Sequence, residues 1–165
     1  MRKGFTMIEL IFVIVILGVL ASVAIPRLAA TRDDAEVAKA ATNLTTAVSD
    51  ITAYYTAKGH FKSKSDGTGN KVQFDKITNA LTKEGKLNVK GKTTCVTVAL
   101  PDAATTASGK VELVLTFTPT ADAVCQQLSK LPGILSMCGK GGGKGSSQVT
   151  GACNIQIGGS GGIQF

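Results

Sequence analysis

Apolar and polar positions follow three different rules along this chain. From Phe5 to Ile25 almost every position is apolar, with Glu9 as the one carboxylate. At ~1.5 Å rise per residue that run makes a helix of ~31 Å, about one bilayer core. Beyond Pro26 the apolar positions thin to a stripe. Val37, Ala41, Leu44, Val48, Ile51 and Tyr55 recur every three or four residues, with Arg32, Asp33, Glu36, Lys39 and Thr42 or Thr46 opposite. That is the period of an amphipathic helix. A single helix is therefore expected over 5–58, roughly 80 Å long by its rise. Residues 5–25 form its all-apolar part and 26–58 its one-sided part, with Lys58 in the last turn and Gly59 as the stop. Pro26 deletes a backbone hydrogen bond and crowds the preceding turn, and Gly18 loosens the same region, so a kink is expected there.

The remaining residues, 59–165, read as a separate head. His60 to Lys71 is polar, with turn material at Ser65 to Asn70. Phe74, Ile77 and Leu81 predict a short helix ended by Gly85. From Thr94 the period becomes two: Val96, Val98 and Leu100 in one run, Val111, Leu113, Leu115 and Phe117 in the next. These predict two antiparallel strands joined by a loop from Pro101 to Gly109. A short helix over Asp122 to Leu131 comes after them, with Thr120 as its N-cap and Pro132-Gly133 ending it. Gly139 to Gly151, which includes Lys140 and Lys144, reads as a surface loop, since it lacks the strand and helix that flank a phosphate-binding loop. Cys153, Ile155 and Ile157 predict a last strand, and a glycine-rich tail runs to Phe165. The fold class is α+β, with an antiparallel sheet laid on the helical stripe. Leu44, Val48, Ile51 and Tyr55 should meet Leu113, Leu115, Phe117 and Ile155. Each such burial contributes about 1.5–3 kcal/mol.

Charge gives the first run its direction. Arg2 and Lys3 precede it, which favours a cytoplasmic N-terminus and export of the residues beyond the apolar run. Glu9 is costly in hydrocarbon, and no lysine or arginine lies between Lys3 and Arg27 to pair with it. An ordinary signal peptide cut after Ser22-Val23-Ala24, or a permanent anchor on a monomer, would fit the apolar run. Neither has a use for Glu9.

Gly4-Phe5-Thr6-Met7-Ile8-Glu9 followed by an unbroken apolar run resembles the N-terminus of type IV pilins and type II secretion pseudopilins. The resemblance covers residues 1 to about 55 well and the rest in outline. It implies a leader at 1–4, cleavage between Gly4 and Phe5 by a prepilin peptidase, and N-methylation of Phe5 by the same enzyme. It implies assembly through Glu9 and Thr6, with the Glu9 carboxylate meeting the freed amine of a neighbouring subunit in a homopolymeric filament. It also implies helix melting between Gly18 and Pro26 on assembly, as an alternative to the kink. The implied partners are minor pilins, an inner-membrane assembly platform and its motor ATPase. The chain would sit in the bacterial inner membrane with a periplasmic head, then in a filament. Adhesion, twitching motility and DNA uptake are functions of such filaments. The resemblance leaves pilus and secretion pseudopilus open. Major secretion pseudopilins typically hold calcium with C-terminal carboxylates, whereas this chain has no Asp or Glu after Asp122 and brackets that region with cysteines. That favours a type IV pilin, with the pseudopilin as alternative.

The four cysteines, Cys95, Cys125, Cys138 and Cys153, suit two disulfides in an exported chain. The hairpin brings Phe117 back beside Thr94, so Cys125 can reach Cys95, leaving Cys138 for Cys153. The other connectivities stay open. No enzyme is expected. His60 is the one histidine, no Cys-x-x-Cys spacing occurs, and neither a metal nor another cofactor is implied. The net charge is +7, and from Lys58 onward every basic residue is a lysine, a diffuse positive field. Lys58, Lys62, Lys64, Lys86, Lys90 and Lys92 are candidates for DNA or other anionic surfaces. The competing reading is that they simply keep the head soluble.

Overall fold

The structure is a computed structural model describing residues 4–64, 67, 69–101, 110–139 and 147–159, with backbone only at 29 and 30. Residues 1–3 of the expected leader, positions 65, 66 and 68 of the expected turn, 102–109 of the expected loop, the glycine-rich stretch 140–146 with Lys140 and Lys144, and 160–165 lie outside the described residues.

The first helix, α1, spans Met7–Lys58 and stays helical through Gly18 and Pro26. It begins two residues later than the apolar run, because Thr6 stands at its cap. Internal contacts divide the chain into two units, Met1–Ala35 and Glu36–Phe165. In the first unit the large apolar side chains from Phe5 to Leu28 are exposed. In the second, α1 contributes Val37, Ala40, Leu44, Ala47 and Ile51 to the core. Ala41, Val48 and Tyr55 are half-buried at its margin. The buried seam is thus rotated slightly from the sequence stripe, with two alanines at its centre.

Among the described residues, four antiparallel strands run in chain order across the sheet: β1 Lys86–Val89, β2 Thr93–Ala99, β3 Val111–Phe117 and β4 Gly151–Gly158. Val96 stands opposite Phe117 and Val98 opposite Leu115, while Leu113 faces Ile155 and Leu115 faces Cys153. Leu113, Leu115 and Phe117 are buried with Leu44 and Ile51 in one core.

Four local expectations need correction. The helix expected from Phe74 to Leu81 is only a 3-10 turn at Phe74–Lys76. The buried Thr78 accepts a hydrogen bond from the Ala80 amide at 3.2 Å, which competes with helix continuation. Strand β1 is additional to the expected strands; it closes onto β2 through a three-residue turn in which Lys90 has φ 49° and Gly91 φ 84°. Helix α2 is Ala123–Leu128, capped by Asp122 and not Thr120: Asp122 Oδ1 accepts from the Val124 amide at 2.8 Å. Pro132 opens a further helix, α3 Pro132–Met137, at its first position, where a missing amide costs nothing.

The structure joins Cys95 of β2 to Cys125 of α2, and Cys138, just past α3, to Cys153 of β4. The approach to β4 is fastened independently. The buried Ser129 hydroxyl donates to the Gln126 carbonyl and accepts from Gln148 Nε2, both at 2.8 Å. The Val149 amide donates to the Ser129 carbonyl at 2.9 Å.

Candidate functional site

Thr6 and Glu9 are the N-cap and third residue of α1, the Thr-x-x-Glu spacing of a capping box. The Thr6 amide donates to Glu9 Oε2 at 3.1 Å, and the Thr6 hydroxyl donates to the same oxygen at 2.8 Å. The Glu9 and Leu10 amides donate to the Thr6 carbonyl. The sequence offers Glu9 no cation within the span; the neutral Thr6 fills part of that need. Its signal is the Thr-x-x-Glu spacing itself.

Both bonds fall on Oε2. Among the described residues Oε1 accepts no hydrogen bond, and the carboxylate stands on a surface made by Phe5, Met7, Ile8 and Leu10, all exposed. One carboxylate oxygen is therefore held in place, and the other is presented outward from an apolar face. Such a group suits a cationic donor brought by another chain once water is excluded, where an unmatched charge is heavily penalised. The Gly4–Phe5 peptide precedes α1, outside regular structure. Phe5 is 84% exposed and nothing lies within 4 Å of a Cβ built on Gly4, so a peptidase meets no obstacle among the described residues. α1 is long and apolar enough to cross a membrane.

The lysine candidates separate into two groups. Lys86 pairs with Glu84 and Lys90 with Asp122, the latter at 3.1 Å. The Lys86 ammonium holds the Glu84 carboxyl below its usual range. The Asp122 carboxyl is lowered first by the Val124 amide and then by Lys90. Lys92 is exposed in the β1–β2 turn. Lys58, Lys62 and Lys64 instead line one cavity with Tyr54, His60 and Ser63. The charge pattern alone does not associate those last three with the lysines, although Tyr54 and Lys58 stand four apart on α1 and so share a face.

Comparison with known proteins places the N-terminal chemistry in a family context. Residues 1–25 match the family model described as the prokaryotic N-terminal methylation motif. The chain is 34% identical over 68 residues to type II secretion system core protein G of Dickeya chrysanthemi, covering 41% of this chain and 44% of that one. It is 31% identical over 72 residues to the protein of the same name from Escherichia coli strain K12, covering 44% and 50% respectively. The chain thus spans about half the length of these curated relatives. No solved structure matches it.

Proposed function

We propose that this chain is a non-enzymatic subunit of a pilin-like filament, held in the inner membrane by residues 5–25 before assembly and polymerised through α1. Cleavage after Gly4 would leave Phe5 as a new N-terminus, subsequently methylated. Glu9 would then accept the freed amine of a neighbouring protomer at Oε1, while Thr6 keeps Oε2 oriented. The observation that carries this reading is the half-satisfied Glu9 carboxylate on an apolar, exposed helix. Pairing there selects axial register, because a mis-stepped neighbour leaves a charge in a dry interface. Residues 59–165, with the last stretch of α1, form the exported head on this reading, and an assembly platform, motor ATPase and minor subunits would be its partners.

Two readings of the filament remain. The named relatives are secretion-system core proteins, which supports a secretion pseudopilus. The type IV pilus reading keeps one specific support: the Cys138–Cys153 bridge closes a C-terminal region that carries no carboxylate side chain. Removing the chain from the producing cell separates them. Loss of an exported protein from the medium with surface pili intact identifies the pseudopilus; loss of surface pili with secretion intact identifies the pilus. Mass spectrometry of the mature chain should give an N-terminal methyl-Phe5, and an intact residue 1 or a start at Ile25 would reject the processing step.

A further inference from the structure

The two disulfides sit at different depths. Cys95 on β2 and Cys125 on α2 are 1% and 2% exposed, and the core side chains Val96, Val124 and Leu128 beside them in sequence have no exposed surface. The Thr118 amide donates to the Cys95 carbonyl at 2.9 Å, which fastens the segment after β3 to the same strand. A thiol reagent must open this core to reach either sulfur. Cys138 is placed differently. It is the C-cap of α3, half-buried, with the exposed Gly139 after it. Its partner Cys153 is 5% exposed and stands opposite Leu115 in the β3–β4 pair. The second bridge thus has one end toward solvent and one end in the core.

Both ends of the second bridge are also held by other contacts. β4 pairs with β3 from Gly151 opposite Phe117 to Gly158 opposite Val111. The approach to β4 is tied to Ser129 by the Val149 amide at 2.9 Å and by Gln148 Nε2 at 2.8 Å. Helix α3 is anchored by the buried Ile134, with Leu131 and Leu135 packed against the same core. The Cys138 amide donates to the Ile134 carbonyl at 3.0 Å. Opening the sulfur–sulfur bond therefore leaves both cysteines near their places, ready to close again. A group reached by local opening reacts at a far lower free-energy cost than one reached only by global unfolding. Exchange also depends on which sulfur an attacking thiolate can approach.

We infer that Cys138 is the site of thiol–disulfide exchange in the folded head, with a dithiol as co-reactant. One thiolate of the dithiol attacks Cys138 Sγ. The bond to Cys153 Sγ breaks, and Cys153 leaves with the electron pair and takes up a proton. The second thiol, once deprotonated, attacks the dithiol's own sulfur in the mixed disulfide and releases Cys138, which is protonated in turn. Two electrons have passed to the protein, the dithiol has become a disulfide, and its two protons end on Cys138 and Cys153. The reverse sequence closes the bridge. Burial keeps Cys95 and Cys125 out of this exchange, so their bridge must form before the head closes, whereas Cys138–Cys153 can be closed on a folded head. The inference does not depend on polymerisation, because both bridges lie within a single chain.

The test treats the full chain, in a neutral detergent without denaturant, with dithiothreitol. Samples are quenched over time in N-ethylmaleimide, and peptide mass spectrometry locates the label. Near-ultraviolet circular dichroism follows the fold through Tyr54 and Tyr55, which stack on Phe61 in the head. Cys138 should be labelled at least about tenfold faster than Cys95 and Cys125 while the dichroism is unchanged. Labelling of Cys95 or Cys125 as fast as Cys138, or labelling of Cys138 only as the dichroism is lost, would overturn the inference. A second arm identifies the sulfur attacked. The free Cys138 of Cys153→Ala should form a mixed disulfide with oxidised glutathione about tenfold faster than the free Cys153 of Cys138→Ala. Equal or reversed rates would overturn the assignment to Cys138. The first arm uses the unsubstituted chain, so it decides the matter even where a variant does not fold.

Discussion

At Gly85 a backbone conformation and a close approach coincide. Its φ is 76°, its carbonyl accepts from the Val98 amide at 2.7 Å, and a Cβ there would lie 2.6 Å from the Val98 carbonyl oxygen and against the Phe74 ring. Gly85→Ala should therefore cost about 1–3 kcal/mol of head stability, read from the midpoint of chemical unfolding. Asp122 is the second residue with a defined consequence. Its carboxylate caps α2 and meets Lys90, and both interactions favour the ionised form. The native value lies below the unfolded one, so its stabilising contribution is complete above the ordinary carboxylate range. It is lost as pH falls through the depressed native value. Glu84 acts in the same direction through Lys86. Acid titration of melting temperature should show this loss, and Asp122→Asn should flatten the lower part of the curve. An unchanged slope in that variant would assign the acid sensitivity elsewhere.

Among the elements, α1 is legible in the sequence because its stripe has a helical period and its first part has no period at all. Leu44, Ile51 and the β3 residues Leu113, Leu115 and Phe117 occupy the core the pattern assigns them. Leu44→Ala should cost about 2–5 kcal/mol, since the side chain is fully buried. Elements decided by side chain–backbone competition are not legible. Thr78 diverts the Phe74–Leu81 segment from helix by bonding locally. β1 is four residues long, too short to register a period, and its turn depends on Lys90 adopting a positive φ, which composition does not announce. Pro132 has two readings, stop and start, and the position of α3 selects the second. At the N-terminal site the need of Glu9 for a partner is readable from hydropathy and charge; its internal partner, Thr6, emerges only when the same residues are read as a capping box. The Cys138–Cys153 bridge spans 15 residues. Replacing both with serine should lower head stability by about 3 kcal/mol in the loop-entropy picture, measured by denaturant unfolding.

For the whole molecule, the surface that carries assembly on the proposed reading is α1. The exposed apolar part of α1 would bury itself against other protomers. On the proposed reading, assembly turns on whether Glu9 receives a charge from outside its own chain. The most direct measurement is therefore filament yield and length from cells producing Glu9→Ala, with mass spectrometry establishing that the variant is still cut after Gly4. Processed chain retained in the membrane without filaments is the expected result. Filaments of wild-type length and number from that variant would show that assembly proceeds without the carboxylate.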